Sequence, residues 1–119
     1  TESAKIYCYT RCSTCRKALK WLQEHQIEHE VIDIVENPPS KKLLSMAISQ
    51  IGEIKKLVNT SGLSYRSIGA SAFKLLSNDQ ILCKLASDGK LIKRPFFISK
   101  TGDFLLGFKP DYWSQILLN

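Results

Sequence analysis

Apolar positions at the start of the chain change their period twice. Over residues 4–9, Ile6 and Cys8 alternate with other side chains among β-branched and aromatic residues, which predicts a first strand. From Thr14 to about His25, Cys15, Ala18, Leu19 and Leu22 recur at i, i+3, i+4 and i+7, one face of a helix, with Trp21 on its flank. Ile27 and then Val31-Ile32-Asp33-Ile34 predict a second strand. A strand, a helix and a strand in so short a span make a βαβ unit, which requires parallel pairing through a right-handed crossover.

Asn37-Pro38-Pro39-Ser40 then stops the strand and offers Ser40 as a helix cap. Leu43, Leu44, Ala47, Ile48 and Ile51 trace a helix that Gly52 ends. A short helical piece over 53–58 leads to the turn Asn59-Thr60-Ser61-Gly62, and short helices are expected around Tyr65-Arg66 and Phe73. Ser77 or Asn78 caps a helix carrying Ile81, Leu82, Leu85 and Ala86, closed by Ser87-Asp88-Gly89. Residues 91–98 read as an approach and a strand, 99–103 as a hairpin turn, and 104–108 as a returning strand. Pro110 opens a last helix with Trp113, Ile116 and Leu117 on its apolar side. The order is β-α-β, helices, β-β-α. That predicts an α/β protein of thioredoxin-like layout, one domain over residues 1–119, with a mixed four-stranded sheet and a helical insertion at about 40–88.

Composition narrows this picture only a little. A chain of 119 residues, 44% apolar and 24% charged, suits one globular core. No apolar run approaches the roughly 20 residues of a membrane span, and no signal-peptide h-region opens the sequence. The net charge of +6 is spread along the chain rather than massed in a tail, which favours a solvated basic surface over direct binding of nucleic acid. Four cysteines, three of them within the first fifteen residues, are too few for a disulfide scaffold. They point to a functional thiol pair in a reducing cytoplasm.

That pair is Cys12-Ser13-Thr14-Cys15, where a strand gives way to a helix. A thiol at a helix N-terminus meets free N–H groups and the positive end of the dipole, and Arg11, Arg16 and Lys17 add charge. Each effect is expected to favour the nucleophilic thiolate form of Cys12. Cys15, one turn on, is placed to close a disulfide. The alternative is a purely structural pair of buried cysteines. Cys8 completes a C-x3-C-x2-C spacing but falls within the strand, and His25 and His29 straddle a helix–strand break, so neither a cluster nor zinc is favoured. Cys8 and Cys83 read as small core residues.

Lys93-Arg94-Pro95 is the second candidate. In this layout a proline before the third strand is typically cis and lies against the cysteines, which would bring Arg94 near Cys12 to hold a thiolate or an oxyanion. A proline that merely starts an edge strand is the equal alternative. Ser13, Thr14 and Arg16 are candidate substrate contacts alongside Arg94 and Pro95. No G-x-G-x-x-G follows a strand, so electrons are expected from an external thiol rather than nicotinamide or flavin.

Cys12-Ser13-Thr14-Cys15-Arg16-Lys17-Ala18, Asn37-Pro38-Pro39-Ser40, Asn59-Thr60-Ser61-Gly62 with Tyr65-Arg66, Leu91-Ile92-Lys93-Arg94-Pro95 and Gly107-Phe108-Lys109 together resemble the ArsC/Spx family. The resemblance implies a thioredoxin-like fold with a helical insertion. For the arsenate reductases it implies a Cys12 nucleophile toward the oxyanion, with glutathione and glutaredoxin, or thioredoxin, as thiol donors. Of that branch's three oxyanion arginines only Arg94 is matched; the others fall near Asn59-Thr60 and Gly107-Phe108. The C-x-x-C is instead similar to the Spx branch, a redox-sensing regulator that binds the RNA polymerase alpha subunit, and Gly52 resembles the glycine at that contact. The expectation is a thiol–disulfide oxidoreductase with Cys12 as nucleophile, Cys15 as resolving thiol and Arg94 stabilising the thiolate or oxyanion. The alternative is an Spx-like regulator.

Overall fold

The alternation at the start of the sequence becomes strand β1, Ala4–Cys8, in a computed structural model that describes residues 4–118. In chain order there follow α1 (Ser13–Glu24), β2 (His29–Asp33), α2 (Lys41–Ile51), α3 (Leu63–Ile68), α4 (Ala70–Lys74), α5 (Asn78–Ser87), β3 (Phe96–Ile98), β4 (Phe104–Leu106) and α6 (Pro110–Leu117). Two 3₁₀ turns, Ile54–Leu57 and Gly89–Leu91, stand within the helical stretch. The chain groups into two compact units: residues up to Asp33 with those from Arg94 onward, and Ile34–Lys93.

The first unit holds the sheet, in the order β2-β1-β3-β4. β1 pairs with β2 in parallel, Ile6 opposite Val31 and Cys8 opposite Asp33. It pairs antiparallel with β3, Ile6 opposite Phe97, and β3 pairs antiparallel with β4. This is the thioredoxin-like layout, and its cause is legible in the side chains. Alternation puts Ala4, Ile6 and Cys8 on one face, where they meet Ala18 and Leu22 of α1, Phe97, Leu105 and Trp113 in one core. Trp113 is fully buried, with its ring 5.0 Å from that of Phe97, and its indole N–H donates to the Gly107 carbonyl at 3.1 Å. That bond satisfies a donor that burial would otherwise leave costly. On the opposite face Tyr7 meets Phe96 edge to face at 5.6 Å.

The second unit is helical. Ser40 caps α2 by accepting the Leu43 N–H at 3.1 Å, and Gly52 ends it at φ +95°. Ser77, rather than Asn78, is the cap of α5. It shares a capping box with Gln80, whose side chain accepts the Ser77 N–H at 2.9 Å. Leu44 and Ala47 of α2 and Ile81 and Leu85 of α5 are buried, and Lys41 and Asp79 pair at 2.6 Å on the exposed side.

Two expectations are corrected here. Cys83 is exposed, not a core residue, and its sulfur lies 3.5 Å from the Lys41 ammonium. The reason is phase: the buried stripe of α5 runs through Ile81 and Leu85, and Cys83, two residues from each, falls on the other side. Leu91 and Ile92 belong to the expected approach to β3, which itself spans only Phe96–Ile98. Leu91 ends a 3₁₀ turn, and both residues are buried by pairing with the segment after the first such turn. The Asn59 N–H donates to the Leu91 carbonyl at 2.8 Å, the Lys93 N–H donates to the Leu57 carbonyl at 2.7 Å, and Val58 bridges Ile92. The returning strand stops at Leu106, because Gly107 turns out at φ +69°. No helix among the described residues is long and apolar enough to cross a membrane.

Gly89 opens the second 3₁₀ turn, and a Cβ there would collide with the backbone carbonyl of Ile34. Backbone cannot swing aside as a side chain can. Gly89→Ala is therefore expected to cost about 1–3 kcal/mol, read as a lower urea midpoint with unchanged slope. At Gly62 the nearest atom is the end of the Asn59 side chain, and the same substitution should cost less.

Candidate functional site

Four residues, 9–12, join the end of β1 to the start of α1. The Cys12 N–H donates to the Tyr9 carbonyl at 3.0 Å, and the Cys12 carbonyl accepts the Arg16 N–H at 3.2 Å. Cys12 is thus the N-cap of α1, extended at φ −91° and ψ 116°. A serine or aspartate at this position would bend back to cap the helix. The Cys12 side chain makes no such bond and is half-buried. Its thiol is left for other chemistry.

Cys15 lies one turn further and is only 1% exposed. Its sulfur is where the site converges. The Cys8 thiol hydrogen-bonds to it from the last position of β1, the Tyr9 backbone and the Cys12 thiol do so from the connecting loop, and Arg94 adds positive charge. The Cys8 hydrogen bond is the strongest of these influences, and burial opposes them; together they push Cys15 down to about 6. Cys8 moves the other way, because donating to Cys15 and being buried both hold it in its protonated form. Two close sulfurs cannot both ionise readily. Charge settles on Cys15 because that sulfur also has the Tyr9 backbone, the Cys12 thiol and Arg94.

Arg94 is half-buried, and its guanidinium carbon sits 5.2 Å from the centre of the Tyr9 ring. That cation–π placement holds the charged head beside the loop. The Arg94–Pro95 peptide is cis and Pro95 is buried. The Pro95 carbonyl accepts the Gly107 N–H at 3.0 Å, and Gly107 in turn accepts from Trp113. So the last helix holds the turn that carries the proline.

The structure brings Cys12, Cys15 and Arg94 together as the sequence predicts, with one change of emphasis: the charge of Arg94 is felt at Cys15. Thr14 is half-buried, whereas Ser13 and Arg16 are exposed on the first turn. Arg66 lies in α3 of the other unit, beside Tyr65, whose ring packs on Phe73 at 5.1 Å. His25 and His29 each donate from Nδ1 to a backbone carbonyl of their own segment, Trp21 and Ile27 respectively. Among the described residues no three His, Cys, Asp or Glu side chains are grouped to hold a metal ion. Cys8 is the residue that sequence reasoning undervalued. It is in the core, 5% exposed, and it is also a partner of Cys15. The available signal was the alternation itself, which places residue 8 on the face that α1 covers.

Comparison with known proteins agrees with this layout. The uncharacterised protein YusI of Bacillus subtilis is 44% identical over 117 residues, 95% of this chain and 97% of that protein. The solution structure of a Staphylococcus aureus protein superposes with a TM-score of 0.83 at 40% identity, over 98% of this chain and 99% of that one. The crystal structure of a possible arsenate reductase from Streptococcus mutans gives 0.87 at 37% identity, over 98% and 100%. More distant relatives divide between two functions. An arsenate reductase of Rhizobium meliloti is 26% identical over 82% of this chain and 69% of its own. The global transcriptional regulator Spx of Streptococcus agalactiae is 24% identical over 89% and 77%. The ArsC family model matches residues 7–116, and with the sheet order and the cysteine turn already described, the chain belongs to the ArsC family.

Proposed function

We propose that the protein is a cytoplasmic thiol–disulfide oxidoreductase in which Cys12 is the nucleophile and Cys15 the resolving thiol. The observation that carries this reading is the half-buried Cys12 thiol hydrogen-bonded to a buried Cys15 sulfur whose surroundings favour the thiolate. On attack, the Cys12 proton passes along that hydrogen bond to Cys15. The Cys12 sulfur then joins one sulfur of an oxidised substrate, and the other sulfur leaves and takes the proton from Cys15. The Cys15 thiolate next attacks the Cys12 sulfur and expels the second substrate thiolate, which closes a Cys12–Cys15 disulfide. Two electrons have moved from the pair to the substrate. A thiol donor, glutathione or a glutaredoxin or thioredoxin, returns them; no bound cofactor takes part. Arg94 stabilises the thiolate and would also face an oxyanion substrate, with Pro95, Ser13, Thr14 and Arg16 bordering it. Arsenate reduction is supported by the reductase relatives, but Arg94 would have to serve without the two other arginines of that branch.

A second reading is favoured by the likeness to Spx: a redox-sensing regulator that binds the RNA polymerase alpha subunit. Gly52, at the left-handed end of α2, is the residue through which the two readings part.

Three experiments test these readings. In a Cys12→Ser, Cys83→Ser background, thiolate absorbance at 240 nm should rise by one equivalent as pH increases through about 6, the value of Cys15. Cys8→Ala should move that midpoint upward by at least about one unit, since the strongest stabilising bond is gone; an unmoved midpoint would count against the thiol cluster. In turnover with an oxidised low-molecular-weight disulfide, Cys12→Ser should lose at least about a thousandfold. Cys15→Ser should instead accumulate a Cys12 mixed disulfide visible by mass spectrometry. Finally, Gly52→Arg should leave turnover intact, and it should abolish co-purification of polymerase alpha subunit if the regulatory reading holds.

A further inference from the structure

The chain's charge is unevenly shared between its two units. Residues 34–93 carry nine lysines and arginines against four acids, a net +5 of the chain's +6. The same unit contains a cavity of about 540 Å³, inside the range of small-molecule sites. Its floor is apolar and already shielded from water: Ile54, Val58, Phe73 and Ile81 line it, each 5–8% exposed. The charged residues that line it are Lys55 and Lys74, both with exposed side chains, and no carboxylate stands among the lining residues. The ion pair between α2 and α5, Lys41 with Asp79, involves neither lysine.

We propose that this cavity is a binding site for a small amphipathic carboxylate, its hydrocarbon body on the Ile54, Val58, Phe73 and Ile81 floor and its carboxylate between Lys55 and Lys74. The occupant follows from the two chemistries present. An apolar floor of this size releases water when hydrocarbon covers it, which gives affinity without direction. Two ammonium groups with no carboxylate among the lining residues favour one charge sign, and a charge-assisted bond gives orientation. A cation of the same shape would meet only repulsion. A neutral analogue would keep the apolar term and lose the polar one. None of the thiols lines this cavity, so the site can be occupied whether or not Cys12 and Cys15 are redox-active.

The test uses the full chain and three probes of equal length: octanoate, octanol and octylammonium. Amide chemical shifts are followed by NMR during each titration. Octanoate is expected to bind saturably, with shift changes centred on Val58, Phe73 and Ile81, and to bind at least about tenfold tighter than octylammonium. The double variant Lys55→Gln, Lys74→Gln should weaken octanoate about tenfold and leave octanol unchanged. Thr60→Trp, an exposed lining position, should block all three probes while the helical circular dichroism is retained. The inference is overturned by any of four results: no saturable octanoate shift, shifts centred elsewhere, octylammonium binding as tightly as octanoate, or a double variant that binds octanoate as the parent does.

Discussion

A negative charge on a sulfur that is almost wholly excluded from water is the constraint on which the first unit depends. Burial alone would keep Cys15 protonated. It is overcome because donors and positive charge arrive from three separate pieces of chain: hydrogen bonds from Cys8 at the end of β1 and from the Tyr9 backbone and Cys12 in the connecting loop, and the charge of Arg94 from the segment before β3. Each of those pieces is held by something else. β1 is fixed between two neighbours in the sheet, the loop by the Cys12-to-Tyr9 bond, and Arg94 by the Tyr9 ring. The fold and the thiol chemistry are one problem with one solution, which is why the cysteines sit at a strand–helix junction and not on a free surface.

This arrangement also separates two properties that are often merged. Cys12 has access to solvent and a position that spends its cap on nothing. Cys15 has the proton donors and almost no access. In the proposed reaction a substrate meets one sulfur while the electrostatic advantage resides on its neighbour, and the hydrogen bond between the two joins access to reactivity. Polar satisfaction of buried groups runs through the rest of the unit in the same way, from the Trp113 indole to the Ser99 hydroxyl, which accepts the Asp103 N–H at 2.8 Å in the hairpin turn.

Much of this was legible because it is local. The α1 stripe of Cys15, Ala18 and Leu22 is a 3.6-residue period, β1 is a period of two, and Ser40, Gly52 and Ser77 are end signals that act within four residues. The cis proline followed from the layout rather than from its neighbours. What stayed hidden depends on residues distant in sequence. Leu91 and Ile92 have the composition of a strand, yet their backbone pairs with Leu57 to Asn59, more than thirty residues earlier. Cys8 looked like any small apolar residue, since only the approach of α1 turns its S–H toward another sulfur. Cys83 misled for the opposite reason: it lies inside an apolar stretch but out of phase with the buried stripe. The cavity of the second unit is drawn from Ile54 to Ile81 across four elements, none of which shows it alone.

Gly107 accepts from Trp113 and donates to Pro95, so the residues at the chain's far end hold the turn opposite the cysteines near its beginning. Read in the direction of synthesis, this fixes an order of events. Cys12 and Cys15 leave the ribosome well before Arg94, Pro95 and Trp113. Until those residues emerge, the two thiols exist without the guanidinium, the sheet partner or the tryptophan that shape them. The surroundings that favour charge on Cys15 are therefore complete only once both sequence segments of this unit are present.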